Sequence, residues 1–341
     1  MRPFEQEEPE AELAPYLEVS SLARVSFRLP LGDNTPHALR VYREANAHFR
    51  TVPWPAPFDK TIHRIRLGDA RDLSWLPDES VHLVVTSPPY WTLKEYAPGN
   101  RSQLGDIDDY ERFISELDKV WEGCARVLAP GGRICCVVGD VCVPRKRGGR
   151  HYVMPLHSDI QVRARKMGLD CLTPILWQKI ANGATEAAGN GSGFYGKPYQ
   201  PGAIVKNDTE FILMLRKGGQ YRSVKPLQKA LSMLTKQEMQ GWLRSCWTDL
   251  PGASTTRSHH PAPYPIELAE RLIRLFSFAG DTILDPFLGT ASTTAAAIRS
   301  GRNSIGVEIE PAYVELARRK VEALASVRAM AGPTCSEVVV G

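Results

Sequence analysis

Between Val81 and Val138 the chain sets two apolar runs on either side of one amphipathic stretch, and few folds satisfy that order. Val81-His82-Leu83-Val84-Val85 and Arg133 to Val138 read as strands. Between them Tyr110, Phe113, Ile114, Leu117, Val120, Trp121, Cys124 and Leu128 recur at spacings of three and four, which predicts a helix over 108–128. Pro130-Gly131-Gly132 ends it. Strand, helix and strand joined in this way imply a right-handed crossover and a parallel sheet. The expectation is an α/β protein.

The first run stops in a stiff corner, Thr86-Ser87-Pro88-Pro89-Tyr90-Trp91. Two consecutive prolines have no amide hydrogens, so the strand cannot continue and the carbonyls of Ser87 and Pro88 are left to accept hydrogen bonds from something else. A small hydroxyl opens the turn, and Tyr90 follows where it can stack on a flat ligand. Together these parts suit an exocyclic amine on a planar ring. The alternative is a proline-terminated strand with a buried tyrosine.

Two other strand ends carry acids. Ile62 to Leu67 alternates like a strand, and Gly68-Asp69 ends it, which puts Asp69 where open α/β sheets bind ligands or, alternatively, where it caps the next turn. Ile266 to Phe276 runs at helical spacing. Asp281 to Thr294 then reads as a strand, a glycine turn at Asp285-Pro286-Phe287-Leu288-Gly289-Thr290, and a helix whose first amides are open to an anionic group. The next strand, Asn303 to Ile309, places Glu308 19 residues beyond Gly289, the distance at which a dinucleotide-type fold grips ribose hydroxyls. An adenosine-like cofactor is favoured. No phosphate-binding G-x-x-x-x-G-K-[ST] loop occurs, which argues against a nucleoside triphosphatase.

Charge separates the middle of the chain from the rest. The net charge is +4, but residues 141–260 hold 18 Lys or Arg against 7 Asp or Glu. A polyanion is the natural partner, with a solvated basic surface as the alternative. Arg145, Lys146, Arg147 and Arg150 open this segment as a flexible cationic loop, and Ala181 to Gln200 interleaves Phe194, Tyr195 and Tyr199 with small polar residues. Residues 1–60 read as an extension wrapped on the main domain, with a short helix around His37 to Phe49, and the tail beyond Val327 carries no readable signal. Seven cysteines without a C-x-x-C pair suggest neither disulfides nor a metal site. An acidic start at Glu5 to Glu12 and no apolar run of about 20 residues point to a cytoplasmic protein without a membrane segment.

With these stretches side by side, the chain resembles the amino-group DNA methyltransferases whose catalytic motif precedes the cofactor motif. The matching residues are T-S-P-P-Y-W at Thr86 to Trp91, H-P-A-P-Y-P at His260 to Pro265, D-P-F-L-G-T at Asp285 to Thr290, and G-V-E at Gly306 to Glu308, with Leu67-Gly68-Asp69 as a further match. Coverage is about 61–325. The resemblance implies a Rossmann-like fold with a mixed seven-stranded sheet, helices on both faces, and S-adenosylmethionine as cofactor. It also implies a target-recognition insertion at about 141–257 within a catalytic domain of 61–325, with tails on either side. Asp69 would face the adenine amine, Glu308 the ribose, and Asp285 to Thr290 the methionine part. Thr86, His260 and Pro261 complete the cofactor's surroundings. One departure is Ala291, where many relatives have a second glycine; a methyl group there is expected to tighten the cofactor pocket.

The implied reaction is methylation of double-stranded DNA at a flipped-out base. Ser87 and the Pro88 carbonyl would accept from the target amine and Tyr90 would stack on the ring, with Ser87, Pro88, Pro89 and Tyr90 as the catalytic set. Asp140 is a candidate proton acceptor through Ser87, or else a turn cap. In this family a serine at position 87 is most associated with the N4 amine of cytosine, and aspartate with adenine. Adenine N6, a catalytically silent DNA-binding relative, and methylation of RNA or protein remain the rivals. A cognate restriction endonuclease and a monomeric or dimeric state stay open.

Overall fold

The structure, a computed structural model, describes residues 16–20, 26–31, 35–91, 103–143, 145–179, 208–253, 264–331 and 334–341. The chain opens with an antiparallel hairpin, β1 (Tyr16–Ser20) and β2 (Ser26–Pro30), and helix α1 (Pro36–Phe49). Thr35 caps α1 by accepting from the Ala38 amide at 3.1 Å, and a proline sits in the first turn, where no amide partner is needed. Strands β3 (Lys60–Leu67) and β4 (Val81–Thr86) lead to helix α2 (Tyr110–Val127) and strand β5 (Leu128–Val138). Asp109 caps α2 through the Arg112 amide at 2.8 Å.

A short hairpin, β6 (Val141–Val143) with β7 (Tyr152–Met154), flanks a helical turn at Arg145–Gly148. Helix α3 (Leu156–Lys166) and strands β8 (Leu169–Gln178) and β9 (Thr209–Lys217) follow. Then come α4 (Pro226–Ser232), α5 (Lys236–Trp242), the two-residue β10 (Cys246–Trp247), α6 (Ile266–Phe276), β11 (Thr282–Asp285), α7 (Ser292–Ser300), β12 (Asn303–Glu308), α8 (Pro311–Ala331) and β13 (Cys335–Val340).

The main sheet runs β10-β8-β9-β5-β4-β11-β12-β3-β13, with β9 antiparallel to both neighbours and the remaining pairs parallel. Its inner seven strands are the mixed sheet expected. One additional strand lies at each edge. The tail, which carries no sequence signal, supplies one of them: β13 pairs with β3 along the whole register from Cys335↔Lys60 to Val340↔Ile65. At the other end of the crossover, β5 begins at Leu128 rather than Arg133. Val81 pairs with Leu128 while Leu83 pairs with Arg133, so the proline and glycines between them are absorbed in a register shift, with Gly131 at φ 75.

Both faces of the sheet are buried here, which is why β4 and β5 are largely apolar. Val84, Ile134 and Cys136 pack under α2 and α3, while Leu83, Val85, Cys135 and Val137 pack under α6 and the alanines of α7. A separate cluster joins the N-terminal elements to the basic segment, with Tyr42, Phe49 and Trp54 against Leu227, Ala230 and Leu231 of α4. Asn46 ties the two by donating to the Ala230 carbonyl at 2.8 Å. Among the described residues, no helix is long and apolar enough to cross a membrane.

Candidate active site

Adjacent parallel strands β4, β11, β12 and β3 bring their carboxyl ends to one edge. The register Glu308↔Leu67 aligns the last residues of β12 and β3, Asp285↔Gly306 ends β11 two residues short of them, and Thr86 reaches Asp285 from β4. The strand order reverses between β4 and β11, which is where such sheets bind ligands. A cavity opens there, enclosing about 660 Å³ of space that is continuous with solvent. It is lined by Asp69, Ser87, Pro89, Phe287, Gly289 and Glu308, together with residues 103–105.

Behind the cavity wall lies a buried polar knot. Asp285 is 1% exposed and accepts from Thr86 Oγ1 at 2.7 Å, Thr293 Oγ1 at 2.6 Å, Tyr264 OH at 3.1 Å and the Phe287 amide at 3.1 Å. Burial pushes its carboxyl above the ordinary range, and the surrounding donors oppose the shift. The Tyr264 hydroxyl, which also touches Thr293, is pushed well up by burial beside Asp285. Asp285 therefore shapes the turn that follows it from behind the wall.

Glu308 plays the complementary part on β12. Oε2 accepts from the Gly289 amide at 2.8 Å and Oε1 from the Glu310 amide at 3.0 Å, so the carboxylate pins the glycine turn while still lining the cavity. Burial raises its pKa, and the two amides work against that rise. Carboxylate oxygens have about four lone-pair sites, so each Glu308 oxygen retains capacity for a ribose hydroxyl. Lys320 of α8 locks the other side of the turn by donating to the Thr290 carbonyl at 2.9 Å; burial, with Arg299 nearby, lowers its pKa to about 8. Ala291 adopts the left-handed conformation at φ 59 that glycine takes without strain. Its methyl group packs with Leu288, Ala317 and Val321 and does not line the cavity, contrary to the expected tightening of the pocket. As the N-cap of α7 it makes no side-chain cap, so the helix start keeps amides for an anionic group.

The proline corner faces the same space. Ser87 and Pro89 line the cavity, whereas Pro88 and Tyr90 are buried. Ser87 Oγ donates to the Tyr90 hydroxyl at 3.3 Å. Trp91 stands at φ 43, an outlier for a bulky residue, and is turned into the core. Its indole donates to the Ile107 carbonyl at 2.9 Å, meets Tyr110 edge-on at 5.1 Å, and carries the Arg147 guanidinium 4.7 Å above its ring.

Asp69 lines the cavity but is clamped by its neighbour: Arg71 Nε lies 3.0 Å from both carboxylate oxygens and Nη2 2.5 Å from one, while Nη1 holds Glu116 of α2 at 2.8 Å. Pro286 and Phe287 also line the cavity; Thr86 and Thr290 are buried outside its lining, and His260 and Pro261 lie outside the described residues. Asp140 accepts from the His157 amide at 3.3 Å and meets His157 Nδ1 at 2.6 Å, so it caps the start of α3. Arg145, Lys146, Arg147 and Arg150 are at the surface, and Arg147 pairs with Asp108 at 3.2 Å. Among the described residues, no group of His, Cys, Asp and Glu is arranged to hold a metal ion. Gln103, Arg71, Lys320 and Tyr313 carry no signal in the sequence because none belongs to a motif.

The crevice at the sheet's switch point thus brings the acids Asp69 and Glu308, the glycine turn and the proline corner onto one wall. The chain belongs to the N6/N4 DNA methylase family, whose model matches residues 81–319. It is 37% identical over 287 residues to the type II methyltransferase M.MjaI of Methanocaldococcus jannaschii, covering 76% of this chain and 91% of that one. The DNA adenine methyltransferase YhdJ of Escherichia coli is 28% identical over 288 residues, covering 80% and 87% of the two chains. TTHA0409 of Thermus thermophilus, solved in complex with S-adenosyl-L-methionine, superposes with a TM-score of 0.65 at 46% identity, covering 82% of this chain and 98% of that one.

Proposed function

We propose that this DNA methyltransferase moves a methyl group from S-adenosylmethionine to the N4 amine of a cytosine in double-stranded DNA. The observation that carries the reading is that Ser87 and Pro89 line the same cavity as Gly289 and Glu308. Target amine and methyl donor can thus meet in one space. The bound cofactor supplies an electrophilic methyl group on a sulfonium centre. Glu308 would take its ribose hydroxyls, and the uncapped start of α7 its carboxylate.

A cytosine in a duplex cannot reach this cavity, so it must leave the stack at a cost of a few kcal/mol. Ser87 is suited to receive its amine: its hydroxyl proton is directed to Tyr90, which leaves the oxygen lone pairs to accept. Pro88 contributes a carbonyl that no ladder claims. Two acceptors on the amine draw its lone pair out of conjugation with the ring. Positioning and desolvation supply most of the rate. Release of the amine's surplus proton to water completes the reaction, with no covalent enzyme intermediate.

We assign 61–325 to the catalytic domain, about 141–257 within it to target recognition, and 1–60 and 326–341 to flanking segments. Arg145, Lys146 and Arg150 would meet phosphates, since all three are exposed at the start of the basic segment. The neutral hydroxyl of Ser87 favours cytosine through the family association of that residue. Incubation with labelled S-adenosylmethionine and plasmid DNA, followed by nucleoside analysis, tests the reading. N4-methylcytosine is the expected product. N6-methyladenine alone would move the activity to the adenine amine, and unlabelled DNA would overturn the proposal.

A further inference from the structure

The cavity wall holds one buried polar group whose bonding is incomplete. Gln103 is 7% exposed and lines the cavity, and its amide nitrogen makes no hydrogen bond among the described residues. A buried amide donor with no acceptor costs stability and is rare in native proteins unless a ligand or water completes it. The other polar groups on this wall are engaged: Asp69 by Arg71, Glu308 by two amides, and Ser87 by Tyr90.

Gln103, Leu104 and Gly105 line the cavity together with Asp69 and Ala70 after β3 and Ser87 after β4. Gln103 immediately precedes the turn Leu104–Asp106, and Leu104 shares an apolar cluster with Ala70, just after β3, and Val307 of β12. Glu116 of α2, the helix that this turn leads into, holds Arg71 and through it Asp69. Asp69, just after β3, marks the end of the cavity that lies across Glu308 from Ser87. With the ribose on Glu308 and the methyl group toward Ser87, adenine falls at this end. Its ring nitrogens are acceptors. Asp69 is itself an acceptor and can take only the exocyclic amine, so the ring nitrogens call for a donor from elsewhere on the wall.

We propose that Gln103 is a cofactor-binding residue that donates a hydrogen bond to a ring nitrogen of the cofactor's adenine. This rests on the assignment of the cavity to S-adenosylmethionine. Gln103→Met keeps the length of the side chain and removes the donor; Gln103→Glu keeps the shape and, when ionised, only accepts. Both variants are titrated calorimetrically with S-adenosylmethionine, S-adenosylhomocysteine and 5′-methylthioadenosine, which retains adenine and ribose but lacks the amino-acid part. Ligand-free stability is measured alongside by urea unfolding.

The expected result is about tenfold weaker binding of all three ligands, the scale of one missing hydrogen bond. Ligand-free Gln103→Met should be as stable as the parent or more so, because it no longer buries an unmade donor. Structural support would instead lower stability. Unchanged affinities overturn the proposal. So does weakening of the first two ligands with methylthioadenosine unaffected, which would put the amide on the amino-acid part. Parent protein that binds none of the three overturns the cofactor reading itself, and the role of Gln103 with it.

Discussion

Asp285 and Ser87 stand at the ends of neighbouring strands, yet their surroundings differ. Asp285 is sealed from solvent by three hydroxyls and an amide, and Glu308 beside it accepts from the Gly289 amide with one oxygen and from the Glu310 amide with the other. Ser87 makes a single 3.3 Å bond, among the described residues, and is followed within four residues by a left-handed tryptophan whose ring is held in the core. One side of the cavity is assembled before any ligand arrives. The other is strained at the backbone and lightly bonded at the side chain, which suits the proposed role of receiving a base drawn out of DNA.

If the cofactor side is preassembled, removing its central acid should damage the fold itself. Asp285→Ala leaves the Thr86, Thr293 and Tyr264 hydroxyls in a buried space without their acceptor, and stability should fall by about 3 kcal/mol. Urea unfolding checks this; a loss under about 1 kcal/mol would mean that the knot rearranges or takes up water, and the contrast between the two sides would weaken.

A smaller effect is expected on the target side, with the fold untouched. Neutralising Arg145, Lys146 and Arg150 together should weaken DNA binding and flatten its dependence on salt by about 0.9 log units for each phosphate no longer neutralised. Unfolding curves should not move, because the three side chains are exposed. An unchanged salt slope would return them to the status of a solvated surface. Arg147 is left out of this set because it rests on Trp91 and pairs with Asp108.

The sequence is most informative where local signals and tertiary contacts agree. Helical spacing predicts α6 at Ile266–Phe276 and the helix forms there, since its apolar positions, among them Leu268, Ala269, Leu272 and Ile273, are also its buried ones. The proline corner and the glycine turn declare themselves by residues that permit few other conformations. The seven-residue helix α4 does not, because its stability comes from packing rather than periodicity: Leu227, Ala230 and Leu231 are buried against a helix nearly 200 positions earlier. The sequence marks Ala291 as standing where many relatives have a glycine, but it does not show that the residue keeps glycine's left-handed conformation while its methyl group turns into the core. Arg71, two residues past Asp69, looks like an ordinary surface charge until α2 brings Glu116 beside it.

The division of labour across the cavity is tested most directly by asking which variant saturating cofactor can rescue. Single-turnover methylation of DNA is followed for Ser87→Ala and Glu308→Gln while S-adenosylmethionine is raised from below to far above its dissociation constant. The account predicts that Glu308→Gln approaches the parental rate at saturation, because its defect lies in holding the cofactor. Ser87→Ala should stay slower by roughly two orders of magnitude or more at every concentration, with near-parental cofactor affinity. Rescue of Ser87→Ala by cofactor, or a Glu308→Gln deficit that persists at saturation, would contradict it.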